Sequence, residues 1–514
     1  MKSSKTPGIL IIDFGSQYSR LIARRVRELN TYCEIAEIDI KKDRNFSLDI
    51  RGIILSGSPS SVYDKDSPGI PSWVMECEVP VLGICYGMQA MIQELGGKVQ
   101  KSTKREYGTA KISLKKDHPI FKGIDREAEV WMSHSDKVET LSKGFESLAQ
   151  SENTSNAVVA KGNDFIGMQF HPEVTHTKEG SKFLENFIVE ICQCSRNWTP
   201  DKFVEKAIDE IKDKVGTGKV ICALSGGVDS SVVAMLLHRA IGENLSCIFV
   251  DNGLLRKNEP EKIRTIFEKK LGDNFSFIDA SDEFIGSLKG IEDPEEKRKI
   301  IGGKFIEVFE TAADSIGADF LAQGTLYSDV VESKSSDMKS SDKIKSHHNV
   351  GGLPEKMKLK LIEPLRFMFK DEARLAGTEM GLERDLVNRQ PFPGPGLAIR
   401  IIGDVTLKKL EILRNVDWIV VNEIKNNGYY EKLWQAFAVL TNSRTVGVMG
   451  DKRTYSYVVA LRFVESVDAM TASVPEIPWE VLKKISTRIV NEVQEVNRVV
   501  YDITSKPPGT IEWE

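Results

Sequence analysis

Cys85 lies in "VPVLGICYGMQAM", between an apolar run and a stretch with helical spacing, with Gly83 and Gly87 two residues to either side. Small residues at those positions are what a sharp strand-to-helix turn needs to present a nucleophile, as in G-x-S-x-G hydrolases. A sulfur held there attacks readily, because a helix N-terminus and a neighbouring imidazole both favour negative charge on it. Downstream, "MQFHPEV" supplies the imidazole. His171 and Glu173 stand two residues apart at a strand end, so a pleat would put both on one face, Glu173 orienting His171 and His171 exchanging a proton with Cys85. Gly57, in "ILSGSPSS", offers backbone N–H groups to an oxyanion. A lone cysteine is usually a small buried hydrophobe. Elbow, His-Pro-Glu and Gly57 turn together argue for nucleophilic catalysis instead.

A second constellation is "LSGGVDSS", residues 224 to 231, again between a strand-like and a helix-like run. Gly226 and Gly227 let the backbone bend, and Ser225, Ser230 and Ser231, with Val228 and Asp229 between them, set hydroxyls beside the free N–H groups of a helix N-terminus. This is a seat for an anion such as phosphate. The loop has no lysine of the G-x-x-x-x-G-K-[ST] kind, so it need not serve γ-phosphoryl transfer. Asp229 assists a metal or caps the helix. "FVDNGLLRKNE" adds Asp251 and Arg256 beyond the next strand, "AQGTLYSDVVES" adds Gly324, Thr325, Asp329 and Glu332, and "MFKDEAR" adds Lys370.

The elements that must position these groups fall into three series. Over residues 1–196, strands such as "GILIIDFG" and "GIILSG" alternate with helices such as "SQYSRLIARRVRELN", an α/β pattern with helices on both sheet faces. Over 197–389 a second α/β series begins with "SRNWTPDKFVEKAIDEIKDKVGTGK", read as a helix, and the phosphate-type loop. Over 390–514, after "PFPGPGLAIR", which is too rich in Pro and Gly for regular structure, comes a smaller α+β unit with strands "TVGVMG" and "YSYVVALRFV" and a helix "WEVLKKISTRIVNEVQEVNRVVYDI". "ESKSSDMKSSDKIKSHHN", 332–349, reads as a mobile loop. The chain of 514 residues suffices for about three domains. A net charge of -5 gives no bulk basic field for nucleic acid, and seven scattered cysteines give no disulfide framework or structural zinc site. No membrane span is expected, and the reading is a cytoplasmic protein.

"GICYGMQ" with "HPE" resembles the class I, triad-type glutamine amidotransferases over about residues 8 to 190. That resemblance implies Cys85 as the nucleophile on the glutamine side-chain amide, His171 as general base and acid, and Glu173 as its orienter. It further implies Gly57, Tyr86 and Gln89 at the oxyanion and substrate. Relatives have Gly-Gly-Pro where this chain has Gly57-Ser58-Pro59, so residue 58 must keep a negative φ. His134 and Asp136, in "MSHSD", also match that family, and equally suit polar loop residues bonded to backbone.

"SGGVDSS" resembles the loop of the N-type ATP pyrophosphatases, an adenine-nucleotide α-hydrolase-like fold. The resemblance implies ATP as co-substrate cut between α- and β-phosphates, diphosphate on residues 225 to 231, Mg²⁺ with Asp229 as a ligand, and Gly324 and Lys370 as further ATP contacts. "PFPGPGLAIR" and "DITSKPPGTIEWE" resemble the glutamine-hydrolysing GMP synthetases, in the same domain order along all 514 residues. This implies xanthosine 5′-monophosphate (XMP) as acceptor, contacts from Arg256, Lys506, Ile511 and Glu512, and a C-terminal domain that makes a homodimer. Another ATP-dependent amidating synthetase with a different acceptor is the alternative.

Overall fold

The computed structural model describes residues 5–16, 18–41, 48–326, 359–366, 368–449, 452–466 and 471–514, without the side chains of 102–105, 449 and 452. Asp329, Glu332 and the segment 332–349 lie outside the described residues. The chain divides into two compact units, Met1–Lys202 and Phe203–Glu514.

The first unit is built on a nine-stranded sheet: β1 (Thr6–Asp13), β2 (Tyr32–Glu37), β3 (Leu48–Leu55), β4 (Val81–Ile84), β5 (Lys98–Leu114), β6 (Glu127–Thr140), β7 (Glu146–Gln150), β8 (Val158–Lys161) and β9 (Phe165–Met168), in the order β2-β1-β3-β4-β9-β8-β7-β5-β6. β1 to β4 and β9 run parallel, and their consecutive buried residues, Ile9 to Ile12 and Ile53 to Leu55, mark strands covered on both faces. β5 to β8 extend the sheet with antiparallel pairs, and β6 alternates buried and half-buried residues along its length.

In the second unit, β10 (Val220–Ala223), β11 (Leu245–Asp251), β12 (Phe275–Asp279), β13 (Phe320–Ala322) and β14 (Lys360–Ile362) form a parallel sheet in the order β12-β11-β10-β13-β14. The order reverses beside β10, which opens a crevice at its C-terminal end. A third sheet holds β15 (Gln435–Met449), β16 (Lys452–Val464) and β17 (Val496–Asp502). The helix Leu407–Asn426 starts at Thr406, whose side chain accepts from Lys409 N. It buries Leu410, Leu413, Val416, Val420 and Ile424 at helical spacing, in one continuous core that runs from Ile221 to Val496.

Two expectations change. The last helix stops at Glu492, and residues 496–502 are a strand, because β16 offers a parallel partner from Val458 to Arg462 that overrides the helical spacing of Val496, Val499 and Val500. The Pro-rich segment does contain a regular piece, a 3₁₀ turn at Gly396–Arg400. Gly396 has φ +64, and a Cβ there would lie 2.4 Å from the carbonyl oxygen of Leu254.

Candidate active sites

Cys85 is the N-cap of the helix Tyr86–Glu94 and has φ 51 and ψ -104, a backbone that costs a non-glycine residue about 1 to 3 kcal/mol. The flanking glycines explain how the turn closes. A Cβ at Gly83 would lie 2.5 Å from Met88 N, and one at Gly87 2.4 Å from Leu55 O, so helix and sheet meet backbone to backbone. Cys85 N donates to Met168 O at 2.7 Å, which ties the elbow to the end of β9. Gly87→Ala is therefore expected to lower stability by about 1 to 3 kcal/mol, read from urea unfolding. A wild-type midpoint would show that this contact relaxes freely.

His171 and Glu173 do not share a strand face. β9 ends at Met168, and both residues lie in the turn that follows, where Glu173 Oε1 is 2.7 Å from His171 Nδ1. The turn is pinned from outside: His171 N donates to Trp131 O at 3.1 Å, Thr177 Oγ1 to His171 O at 2.6 Å, and Arg25 Nε to Glu173 O at 3.0 Å. Glu173 is fully buried, and the Tyr18 ring lies 5.2 Å from the imidazole. Burial alone would push the His171 imidazole toward neutrality. The charges of Glu173 and Cys85, with hydrogen bonds to both, outweigh it and raise the value to about 11. A Cβ on Gly57 would stand 3.4 Å from His171 Cε1, so the glycine borders the same pocket. Ser58 is not among the described non-glycine residues with positive φ, which meets the condition its Cβ imposes.

Tyr86 Oη donates to Pro68 O at 2.7 Å. Gln89 Nε2 donates to Asp136 O at 3.2 Å and to Gln169 Oε1 at 3.3 Å. Gln169, whose Nε2 is 3.8 Å from Cys85 Sγ, was not singled out from the sequence, although it stands two residues before His171. Arg25 left no such signal, being 148 residues from Glu173.

In the second unit, the loop between β10 and the helix Val228–Ile241 is held by its own hydroxyls. Ser231 Oγ donates to Gly227 O at 2.7 Å, Ser225 and Ser230 hydroxyls are 3.0 Å apart, and Gly227 N donates to Ser225 Oγ at 3.3 Å. Gly226 has φ +73, and a Cβ there would meet Ile263 Cδ1 at 2.2 Å. Arg389 Nη1 donates to Gly226 O at 2.6 Å, and the same guanidinium pairs with Glu259. A Cβ on Gly324 would stand 3.1 to 3.3 Å from Asp229 and Ser230, so its bareness lets the segment after β13 reach the helix start. Lys370 opens the helix Lys370–Glu379, which packs on the helix after the loop where Gly377 faces Val232.

The residues expected at the acceptor sit around the C-terminal tail. Arg256 pairs with Asp417 at 3.1 Å and lies over the Phe392 ring. Glu512 is gripped by the fully buried Arg400, through Nε at 2.9 Å and Nη2 at 2.7 Å, and also receives Gln435 Nε2 at 3.3 Å. Ile511 packs against Phe437, Val439 and Ala460. Lys506 exchanges backbone hydrogen bonds with Ala472 at 2.8 and 3.0 Å. The fully buried Lys297 meets Glu514 Oε2 at 2.5 Å, so the tail is docked rather than frayed. Arg389, Arg400, Gln435 and Lys297 were not picked from the sequence, because each is defined by a distant partner.

Comparison with known proteins matches three families along the chain. Residues 10–191 match the class-I glutamine amidotransferase family, residues 202–300 the NAD synthase family, and residues 422–513 the GMP synthase C terminal domain. A glutamine-hydrolysing GMP synthase of Dehalococcoides mccartyi (strain CBDB1) is 57% identical over 508 residues, covering 98% of this chain and 95% of that protein. Those of Aquifex aeolicus (strain VF5) and Thermosipho melanesiensis are 56% and 54% identical, each covering 98% of this chain and 99% of theirs. With a thiol elbow in one unit, a lysine-free phosphate-type loop in the other, and likeness at this level along nearly the whole length, the chain belongs to the family of glutamine-hydrolysing GMP synthases.

Proposed function

We propose that the chain converts XMP, ATP, glutamine and water to GMP, AMP, diphosphate and glutamate. Cys85 attacks the glutamine side-chain amide, His171 passes the proton taken from the thiol to the departing ammonia, water then hydrolyses the glutamyl thioester to release glutamate and restore the thiol, and Glu173 holds the ring. Gly57 and Tyr86 supply oxyanion N–H groups, and Gln89 contacts substrate. Ammonia then displaces AMP from an XMP adenylate formed when the acceptor oxygen attacks the α-phosphate of ATP. Residues Ser225 to Ser231, Gly324 and Lys370 receive the phosphates, and Arg256, Lys506, Ile511 and Glu512 the XMP. The observation that carries this reading is the paired presence of the Cys85 elbow with His171 and Glu173 and a phosphate-type loop without lysine. An acceptor other than XMP is not favoured by the relatives' names.

Among the described residues no group of three or more His, Cys, Asp or Glu is arranged to hold a metal ion. Mg²⁺ sites commonly use one or two carboxylates with substrate phosphates completing the shell, and Asp229, in the first helical turn after the loop, fits that mode. The ion would neutralise charge on the phosphates. The reading is of a cytoplasmic enzyme; among the described residues no helix is long and apolar enough to cross a membrane. Val446, Val448 and Tyr455, exposed on the β15–β16 hairpin, support a homodimer.

Product analysis tests the reaction: AMP and diphosphate are expected only when XMP is present, and ADP with inorganic phosphate would refute the assignment. A second test follows from His171. Its value in the fold lies above the ordinary 6.5, so the charged ring adds stability that is full below about 6.5 and lost as pH climbs through about 11. Glu173→Gln removes one source of that charge and is expected to bring imidazole deprotonation to lower pH, followed by ¹⁵N NMR of the ring. Identical titrations in both proteins would mean that Glu173 does not hold the imidazolium.

A further inference from the structure

Cys85 Sγ lies 3.8 Å from the carbonyl oxygen of Ser133, and Gln89 Nε2 reaches the carbonyl of Asp136, so residues 133–136 of β6 form a wall facing the thiol. A buried pair that the triad does not use holds this wall. β5 and β6 are antiparallel, and their register sets Glu106 directly opposite His134. Both side chains are nearly sealed, at 6% and 4% exposure. His134 Nε2 is 3.2 Å from Glu106 Oε2, and Nδ1 is 2.9 Å from the Asp136 carbonyl oxygen.

Carbonyl and carboxylate oxygens only accept, so a ring caught between them is complementary when both of its nitrogens carry hydrogen. The approach to Oε2 is off the line of a straight hydrogen bond, so the ring is held at Nδ1 and set against the carboxylate at Nε2. The other oxygen of Glu106 accepts from Ser151 Oγ at 2.9 Å and Asn153 Nδ2 at 3.2 Å. Burial would raise the Glu106 carboxyl, and the contacts with His134, Ser151 and Asn153 together bring it below the ordinary carboxylate range. The glutamate therefore stays ionised, anchored to the loop after β7 and set against the imidazole.

We propose that Glu106 and His134 act as a positioning pair that fixes residues 133–136 against Cys85 and Gln89 and so sets the affinity for glutamine. The proposal rests on the reading of Cys85 as the glutaminase nucleophile and adds two residues that touch neither thiol nor substrate amide. The pair is a unit: without the carboxylate the ring loses the group set against it, and without the ring the Asp136 carbonyl keeps only Gln89 Nε2 as a donor.

The test uses the full-length protein with Glu106→Gln, His134→Gln and the double substitution. Each single change is expected to raise the KM for glutamine about tenfold, the scale of one charge-assisted contact, while kcat changes less than about threefold. The double variant is expected to be no worse than either single, since both remove one unit. Glu106→Asp, which keeps the carboxylate, should recover part of the affinity. Alkylation of Cys85 by iodoacetamide, a reagent small enough not to need the wall, should keep its wild-type rate. A folded single variant with wild-type KM, additive losses in the double variant, or alkylation that fails in step with KM would each overturn the proposal. So would loss of cooperative unfolding in both singles, which would make the pair a stability element. Glutamine hydrolysis that survives in Cys85→Ala would instead sink the underlying reading, and needs no change at 106 or 134 to be seen.

Discussion

Cys85→Ala is expected to abolish GMP synthesis from glutamine, by about 10³-fold or more, while synthesis from added ammonium persists near the wild-type rate. The size follows from what the alanine lacks. No other nucleophile replaces the sulfur, and the His171–Glu173 pair then has nothing to deprotonate. The sparing of the ammonium reaction follows from the proposed chemistry, because the triad only generates a nucleophile that the adenylate receives. Alanine also keeps the volume of the elbow close to that of cysteine, although φ 51 still strains it, so folding should survive. Paired assays with glutamine and with ammonium at saturating ATP and XMP decide the matter. Equal loss of both activities in a protein that still melts cooperatively would end the two-site reading.

Removing residues 506–514 is expected to unfold much of the second unit rather than merely to weaken XMP binding. The deletion takes Glu512 from Arg400 and Glu514 from Lys297, and both cations are fully buried. Breaking a buried ion pair by deleting one partner costs about 3 to 5 kcal/mol, and two such losses rival the roughly 5 to 15 kcal/mol that holds a domain folded. The buried Arg462 loses more besides, since its Nη2 donates to Thr510 O at 3.0 Å. Lys506→Ala removes only one side chain, leaves those pairs in place, and isolates the binding role. It should raise the KM for XMP about tenfold to a hundredfold, with the melting temperature little changed. A truncated protein that melts like the wild type would show that the tail's ion pairs contribute nothing. An unaltered KM in Lys506→Ala would place the acceptor elsewhere.

What the sequence determined by itself was local. The thiol elbow and the phosphate-type loop each depend on glycines within a few residues of the functional group, and the clash at Gly87 and the positive φ at Gly226 show why no other residue suits those places. The α/β class was legible for the same reason, since strand and helix periods repeat over short windows. The antiparallel half of the first sheet was not read, nor was β17, because the spacing of Val496, Val499 and Val500 is helical and only the edge of β16 makes a strand of the segment. His171 and Glu173 were found by spacing, yet a turn pinned by Arg25 and Thr177, not a pleat, brings them together. Arg400 on Glu512, Lys297 on Glu514 and Glu106 on His134 belong wholly to the tertiary structure. A buried charge is tolerated only beside its partner, and when the partner lies 112 or 217 residues away no window of sequence contains both halves of the pair.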